Sequence, residues 1–207
     1  MRILLADHHP VFRLGLKAMM KRDSKFIFKG KVETGTNLIA SITKHNPDII
    51  ILEIDLPNAN GVGILREIKE RAPHIKVLVV SCHPEEIYAL SAIKAGAQGY
   101  VAKTQSVATI RKALLTVIDG GIFLSEGISD QSNINLKRAD VLRFKKLSTR
   151  EIEVLNLLSR GKRNKEISRD LNINEKTVST YKTRLLKKLD VDNIADLIHQ
   201  SRLLQLT

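Results

Sequence analysis

Short aliphatic runs alternate with amphipathic stretches through the first 123 residues. The runs are Ile3–Ala6, Phe26–Val32, Ile49–Leu52, Val77–Val80 and Gly99–Ala102. Between them, apolar positions recur at helical spacing near 11–21, 36–45, 61–71, 85–95 and 106–118, and Pro10, Gly35, Pro47, Pro57, Gly61, Pro73, Pro84, Gly96 and Gly120 fall at the junctions. A strand covered on both faces reads as a near-continuous apolar run. Five rounds of strand then helix therefore predict an α/β doubly wound five-stranded parallel sheet.

The rhythm stops at residue 124. Residues 124–146 are polar with scattered apolar positions, and they read as a linker with one short helix around 136–144. From 147 to 207 the pattern is helical throughout. Ser148-Thr149-Arg150-Glu151 forms a capping box ahead of Ile152, Leu155 and Leu158, and Gly161 stands where that helix should stop. A helix over 164–171 turns Ile167 and Leu171 inward. Asn172-Ile173-Asn174 makes a tight turn, and Asn174 caps a helix over 175–188. Asp192 is the expected cap of a last helix, 193–204. Two helices across a three-residue turn make a helix-turn-helix within an all-α domain.

Charge sharpens the second half. The chain carries a formal +12, and residues 137–188 hold 16 Lys/Arg against 6 Asp/Glu. That concentration favours an anionic partner, nucleic acid first. On the helix 175–188, Val178, Tyr181, Leu185 and Leu189 share one side at 100° per residue. Ser179, Thr180, Thr183, Arg184 and Lys187 lie opposite, a face of hydroxyls and cations suited to a major groove.

The strand ends carry the candidate chemistry. Ligands of an open parallel sheet sit beyond the carboxyl ends of its strands. Here those ends bring Asp7 and His8, Glu53 and Asp55, Ser81, and Lys103 to one crevice, and clustered ionisable groups of this kind mark functional sites. His9, His45, His74 and His83 have no spacing that puts two on one helical face, and Cys82 reads as a small core residue.

Residues 1–123 resemble the receiver domain of bacterial response regulators, a flavodoxin-like fold. Residues 147–191, LSTREIEVLNLLSRGKRNKEISRDLNINEKTVSTYKTRLLKKLDV, resemble the LuxR-type helix-turn-helix, so that the whole chain resembles a NarL/FixJ-type regulator. The resemblance implies a phosphoacceptor at position 53, acids after the first strand that hold Mg²⁺, a phosphoryl-contacting hydroxyl at Ser81, a pairing lysine at Lys103 and a switch aromatic at Tyr100. It also implies base contacts from Ser179, Thr180 and Thr183 and phosphate contacts from Lys165, Lys176, Thr177, Lys182 and Arg184.

Two positions depart from that pattern. Glu53 stands where the family has an aspartate, and His8 where it has a metal-binding acid. Mg²⁺ wants oxygen ligands in strict octahedral geometry, which an imidazole does not supply. Glutamate also places its carboxylate about 1.5 Å further out, while a misplacement of ~1 Å costs in-line chemistry roughly a hundredfold. The expectation is an atypical receiver that works without aspartyl phosphorylation, with Glu53 paired to Lys103, no required cofactor, and Mg²⁺ held poorly through Asp7 and Asp55. An engineered phosphomimetic Glu53 in a conventional regulator is the alternative, but it leaves His8 unexplained. A Mg²⁺-dependent hydrolase is a further alternative, and it lacks the nucleophilic aspartate. The expected protein is a non-enzymatic, cytoplasmic, homodimeric regulator of transcription that binds double-stranded DNA. It has no membrane span and no residue that specifies a sensor kinase.

Overall fold

The computed structural model describes residues 1–21, 23–59, 61–125 and 146–203. The segment read as a linker with a short helix near 136–144 falls almost wholly outside the described residues, as does position 204. Strands β1 (Arg2–Ala6), β2 (Ile27–Val32), β3 (Ile49–Leu52), β4 (Lys76–Ser81) and β5 (Gly99–Ala102) form one parallel sheet in the order β2-β1-β3-β4-β5. Helices α1 (Pro10–Lys21), α2 (Leu38–His45), α3 (Gly63–Arg71), α4 (Glu85–Lys94) and α5 (Val107–Ile118) connect them. The order reverses between β1 and β3, which opens the crevice at their carboxyl ends.

Alternation along the strands builds two cores. Ile3, Leu5, Ile49, Ile51, Leu78 and Val80 pack against Leu16, Met19 and Met20 of α1 and Ile110, Ala113, Leu114 and Val117 of α5. Leu4, Ala6, Ile50, Leu52, Val77 and Val79 face the other way, toward Leu38 and Ile42 of α2, Leu65 and Ile68 of α3 and Ala89 and Ala92 of α4. Strand β2 departs from the expected buried run, because it is an edge with one neighbour, and Ile27 and Phe28 are exposed. Gly35 is required by a close approach: a Cβ there would meet the backbone of Ala59 at 2.7 Å.

The second half folds as α6 (Thr149–Ser159), α7 (Asn164–Leu171), α8 (Glu175–Leu189) and α9 (Ile194–Leu203). The capping box is formed: Glu151 N donates to Ser148 Oγ (3.3 Å), and Ser148 N to Glu151 Oε2 (2.6 Å). Gly161 ends α6 at φ 77°, in the left-handed region that favours glycine. Lys176 N donates to Asn174 Oδ1 (2.8 Å), which caps α8 as expected. The cap of α9 is Asn193 instead of Asp192, since Asp196 N donates to Asn193 Oδ1 at 2.9 Å. Asparagine serves this position as well as aspartate does.

Helix α6 is buried on more than its apolar stripe. Glu153, Asn156, Leu157 and Ser159 are buried alongside Ile152, Leu155 and Leu158. The reason is docking on the first domain. Tyr88 OH of α4 donates to Asn156 Oδ1 (2.8 Å), Arg66 of α3 pairs with Glu153 (3.0 Å), and Asp55 pairs with Arg160. One continuous apolar cluster joins α3 and α4 to the helical domain.

Candidate functional site: the acid crevice and the basic helix

The carboxyl ends of β1, β3, β4 and β5 deliver Asp7, Glu53, Ser81 and Lys103 to one point. Lys103 Nζ lies 2.5 Å from Asp7 Oδ2 and 3.1 Å from Glu53 Oε2. Glu53 is fully buried and accepts four hydrogen bonds. Ser81 Oγ (2.5 Å) and Asp55 N (3.0 Å) donate to Oε1, while Cys82 N (3.1 Å) and Lys103 donate to Oε2. Burial alone would raise its pKa; Lys103, the Ser81 hydroxyl and the Asp55 N–H override that and hold it below the ordinary glutamate range. The expected Glu53–Lys103 pair is therefore formed, and the extra methylene is accommodated inside the crevice.

Tyr100 is buried and its OH donates to the His83 carbonyl (3.1 Å), so the aromatic points inward. Burial pushes its hydroxyl pKa well up. His8 borders the crevice. Its Nδ1 is buried with no hydrogen-bond partner among the described residues, and desolvation, with His9 beside it, holds the ring below the ordinary histidine range.

Asp55, Cys82 and His9 depart from expectation. Asp55 lends the crevice only its backbone N–H; its carboxylate turns to Arg160 of the helical domain. Cys82 is exposed, because it lies just past the end of β4 where the chain leaves the sheet. His9, set aside on spacing grounds, is a crevice residue. Its Nδ1 is 2.8 Å from Lys103 Nζ and 3.1 Å from Asp7 Oδ1, and its Nε2 is 4.0 Å from Cys82 Sγ. Strand ends bring these residues together, and helical spacing does not register that. Desolvation and the Glu53 carboxylate push the Cys82 thiol up.

The residues present do not fit Mg²⁺. An ammonium lies between the two carboxylates, where a hard cation would sit, and Asp55 is committed elsewhere. The remaining donors are imidazole and sulfur, which Mg²⁺ disfavours.

On α8, Val178, Leu185 and Leu189 are buried, and Lys176, Ser179, Thr180, Thr183, Arg184 and Lys187 are exposed, with Lys165 exposed on α7. Thr177 and Lys182 are half-buried. Ser179, Thr180 and Thr183 each donate their hydroxyl proton to a carbonyl one turn back, at 3.0–3.2 Å. With its proton committed there, each hydroxyl oxygen can serve a partner only as an acceptor. Asn164 ties the two helices together, donating from Nδ2 to Ser179 Oγ (3.1 Å) and accepting at Oδ1 from Lys182 Nζ (3.2 Å). Sequence spacing gave no signal for Asn164.

A doubly wound sheet with an acid-and-lysine crevice, joined to a basic helix-turn-helix, defines a two-module regulator. Residues 3–115 match the response regulator receiver domain, and residues 145–201 match the bacterial regulatory proteins of the luxR family. The chain belongs to the response regulators, in the branch of DNA-binding transcription regulators that join a receiver to a LuxR-type helix-turn-helix. It is 30% identical to the transcriptional regulatory protein DegU of Brevibacillus brevis, over 97% of this chain and 92% of that one. It is 31% identical to the transcriptional activator protein ExaE of Pseudomonas putida, over 96% and 94% of the two chains. RcsB of Salmonella enterica serovar Typhimurium, solved on promoter rprA with the phosphomimetic BeF3⁻, superposes with a TM-score of 0.82 at 25% identity, covering 97% of this chain and 98% of that one. Among the described residues no helix is long and apolar enough to cross a membrane.

Proposed function

We propose that this chain regulates transcription as a homodimer on specific double-stranded DNA sites, with its receiver set by a built-in charge cluster in place of aspartyl phosphorylation. The observation that carries the second part is Lys103, held 2.5 Å from Asp7 and 3.1 Å from Glu53. The donors that converge on Glu53, Ser81 Oγ and two backbone N–H groups with the ammonium, are the kind that would meet a transferred phosphoryl group. Glu53 gives them an anion permanently. On α8, Ser179, Thr180 and Thr183 would accept from base edges. Lys165, Lys176, Thr177, Lys182, Arg184 and Lys187 would meet phosphates, so binding falls steeply with salt. The RcsB relative on promoter DNA supports the DNA reading, and a related structure of two RcsB dimers on two DNAs supports the dimer.

Phosphate analogues separate this reading from a conventional regulator. Mg²⁺ with beryllofluoride or acetyl phosphate should leave dimerisation and DNA affinity unchanged, while Glu53→Ala should weaken both. A clear response of the unaltered chain to either reagent would overturn phosphorylation independence. A Glu53→Ala chain as active as the parent would overturn the charge-cluster account. Selection on random duplexes that enriches no motif would count against sequence-specific binding.

A further inference from the structure

We propose that His9, Cys82 and Glu53 form a binding site for a thiophilic divalent transition ion, with Zn²⁺ the best match to the donors. Each offers one ligand atom, a ring nitrogen, a sulfur and a carboxylate oxygen, and these three lie within 4.8 Å of one another. His9 Nε2 and Cys82 Sγ are 4.0 Å apart. Metal–nitrogen and metal–sulfur bonds of about 2.0 and 2.3 Å at a tetrahedral angle separate such atoms by roughly 3.5 Å. The pair must close by about half an ångström, which a side-chain rotation of two surface residues supplies.

The surroundings suit an ion of this kind. On the far side of the imidazole, Asp7 Oδ1 lies 3.1 Å from His9 Nδ1. A carboxylate behind a ligating histidine fixes the ring and leaves the other nitrogen's lone pair for the metal. Asp7 also accepts from His9 N (2.6 Å), so the loop that carries the ligand is anchored. Glu53 Oε2 accepts from Cys82 N (3.1 Å), which sets the thiol beside the carboxylate. With the ion on Nε2, the ring proton sits on Nδ1 facing Asp7, and Lys103 keeps Asp7 while giving up its 2.8 Å contact to Nδ1 and its 3.1 Å contact to Glu53 Oε2, which frees that oxygen as a ligand.

Access and selectivity follow from burial. Cys82 is exposed and the His9 side chain is 41% exposed, while Glu53 lies at the base of the crevice. An ion can enter from water and keep an open position. Imidazole and thiolate donors select Zn²⁺ and copper over Mg²⁺. The proposal does not depend on DNA binding.

The test uses the full chain, stripped with chelator and titrated with Co²⁺, then with Zn²⁺ by calorimetry. One Co²⁺ per chain should give tetrahedral d–d absorption and a thiolate-to-cobalt charge-transfer band. Cys82→Ser should abolish that band and weaken Zn²⁺ at least tenfold, and His9→Gln should weaken Zn²⁺ at least tenfold. His74→Gln should change neither, and a hundredfold excess of Mg²⁺ should not displace the ion. A missing thiolate band, binding indifferent to both Cys82→Ser and His9→Gln, or displacement by Mg²⁺ would each overturn the assignment.

Discussion

Lys103→Met removes one charge and keeps nearly the same volume at the centre of the crevice. In the parent, the ammonium is 2.5 Å from Asp7 and 3.1 Å from Glu53, with side-chain exposures of 9%, 3% and 0%. At an effective dielectric of ~20, each contact is worth about 5–7 kcal/mol of gross attraction. Desolvation of the three groups offsets most of this, and removal of one partner of a buried pair typically costs about 3–5 kcal/mol. The variant also leaves two carboxylates facing each other. For a domain of this size that loss lowers Tm by roughly 10 °C at pH 7. The pH dependence should change sign. In the parent, Glu53 titrates below its ordinary value of 4.5, so its stabilisation is present above that pH and is lost as pH falls through the depressed pKa. In the variant, burial and the neighbouring acid raise that pKa, so stability is greatest at low pH and declines as pH rises through the raised value. Thermal melts from about pH 3 to about pH 7, which span the depressed and the raised pKa, with amide exchange of β1, β3 and β5 to locate the loss, read both effects. A Tm loss under about 3 °C with no difference in pH slope would refute the claim that Lys103 holds the crevice together.

Further substitutions probe the rest of the molecule. Asn156→Ala removes the acceptor used by Tyr88 OH; a double-mutant cycle with Tyr88→Phe should return a coupling of about 1 kcal/mol, read by amide exchange of α4 and α6, and a null coupling would mean the contact does not hold the domains together. Lys176→Ala should weaken all duplexes alike and lower the salt slope by about one, whereas Thr183→Ala should alter base preference and leave the slope unchanged; footprinting across a salt series distinguishes them, and the same slope change in both would contradict the assigned roles. Ser148→Ala should cost the helical domain about 1 kcal/mol through loss of the α6 cap, seen as a lower urea midpoint, and an unchanged midpoint would show the cap to be idle.

The sheet was legible because β1, β3, β4 and β5 are covered on both faces, which writes a continuous apolar run into each. The helix-turn-helix was legible because Ser148, Gly161, Asn172 and Asn174 each do a job few other residues do. Contacts across the domain boundary were not legible. Glu153 and Asn156 lie on the polar side of α6, and nothing in the helix's own period says that Arg66 and Tyr88 will cover them. Burial even raises the Glu153 pKa against the opposing effect of Arg66 and Arg150. Asp55 was misplaced for the same reason, since its partner Arg160 is far along the chain. Helical spacing does not register His9, whose neighbours lie in other loops, and Cys82 reads as core only because it directly follows a buried strand.

A buried route runs from the crevice to the helical domain. Ser81 Oγ donates to Glu53 (2.5 Å) and accepts from His83 N (3.2 Å). The His83 carbonyl accepts from Tyr100 OH, and the His83 ring stacks on Tyr88 with centroids 4.7 Å apart. Tyr88 then donates to Asn156 of α6. Intermediacy of this kind is not coupling until some element on the route has two states that both ends bias. On the proposed reading, Glu53 fills the end of the route with a standing anion, and the switch at that end does not work by adding or removing a charge on residue 53. What can still change is the competition for Glu53 Oε2, which Lys103 and the Cys82 N–H now share. On that reading a signal entering through this crevice acts by moving the lysine or the β4–α4 loop. Variants that alter that loop without touching the charge cluster, such as Cys82→Ser, are the place to look for a change at Tyr88 and Asn156.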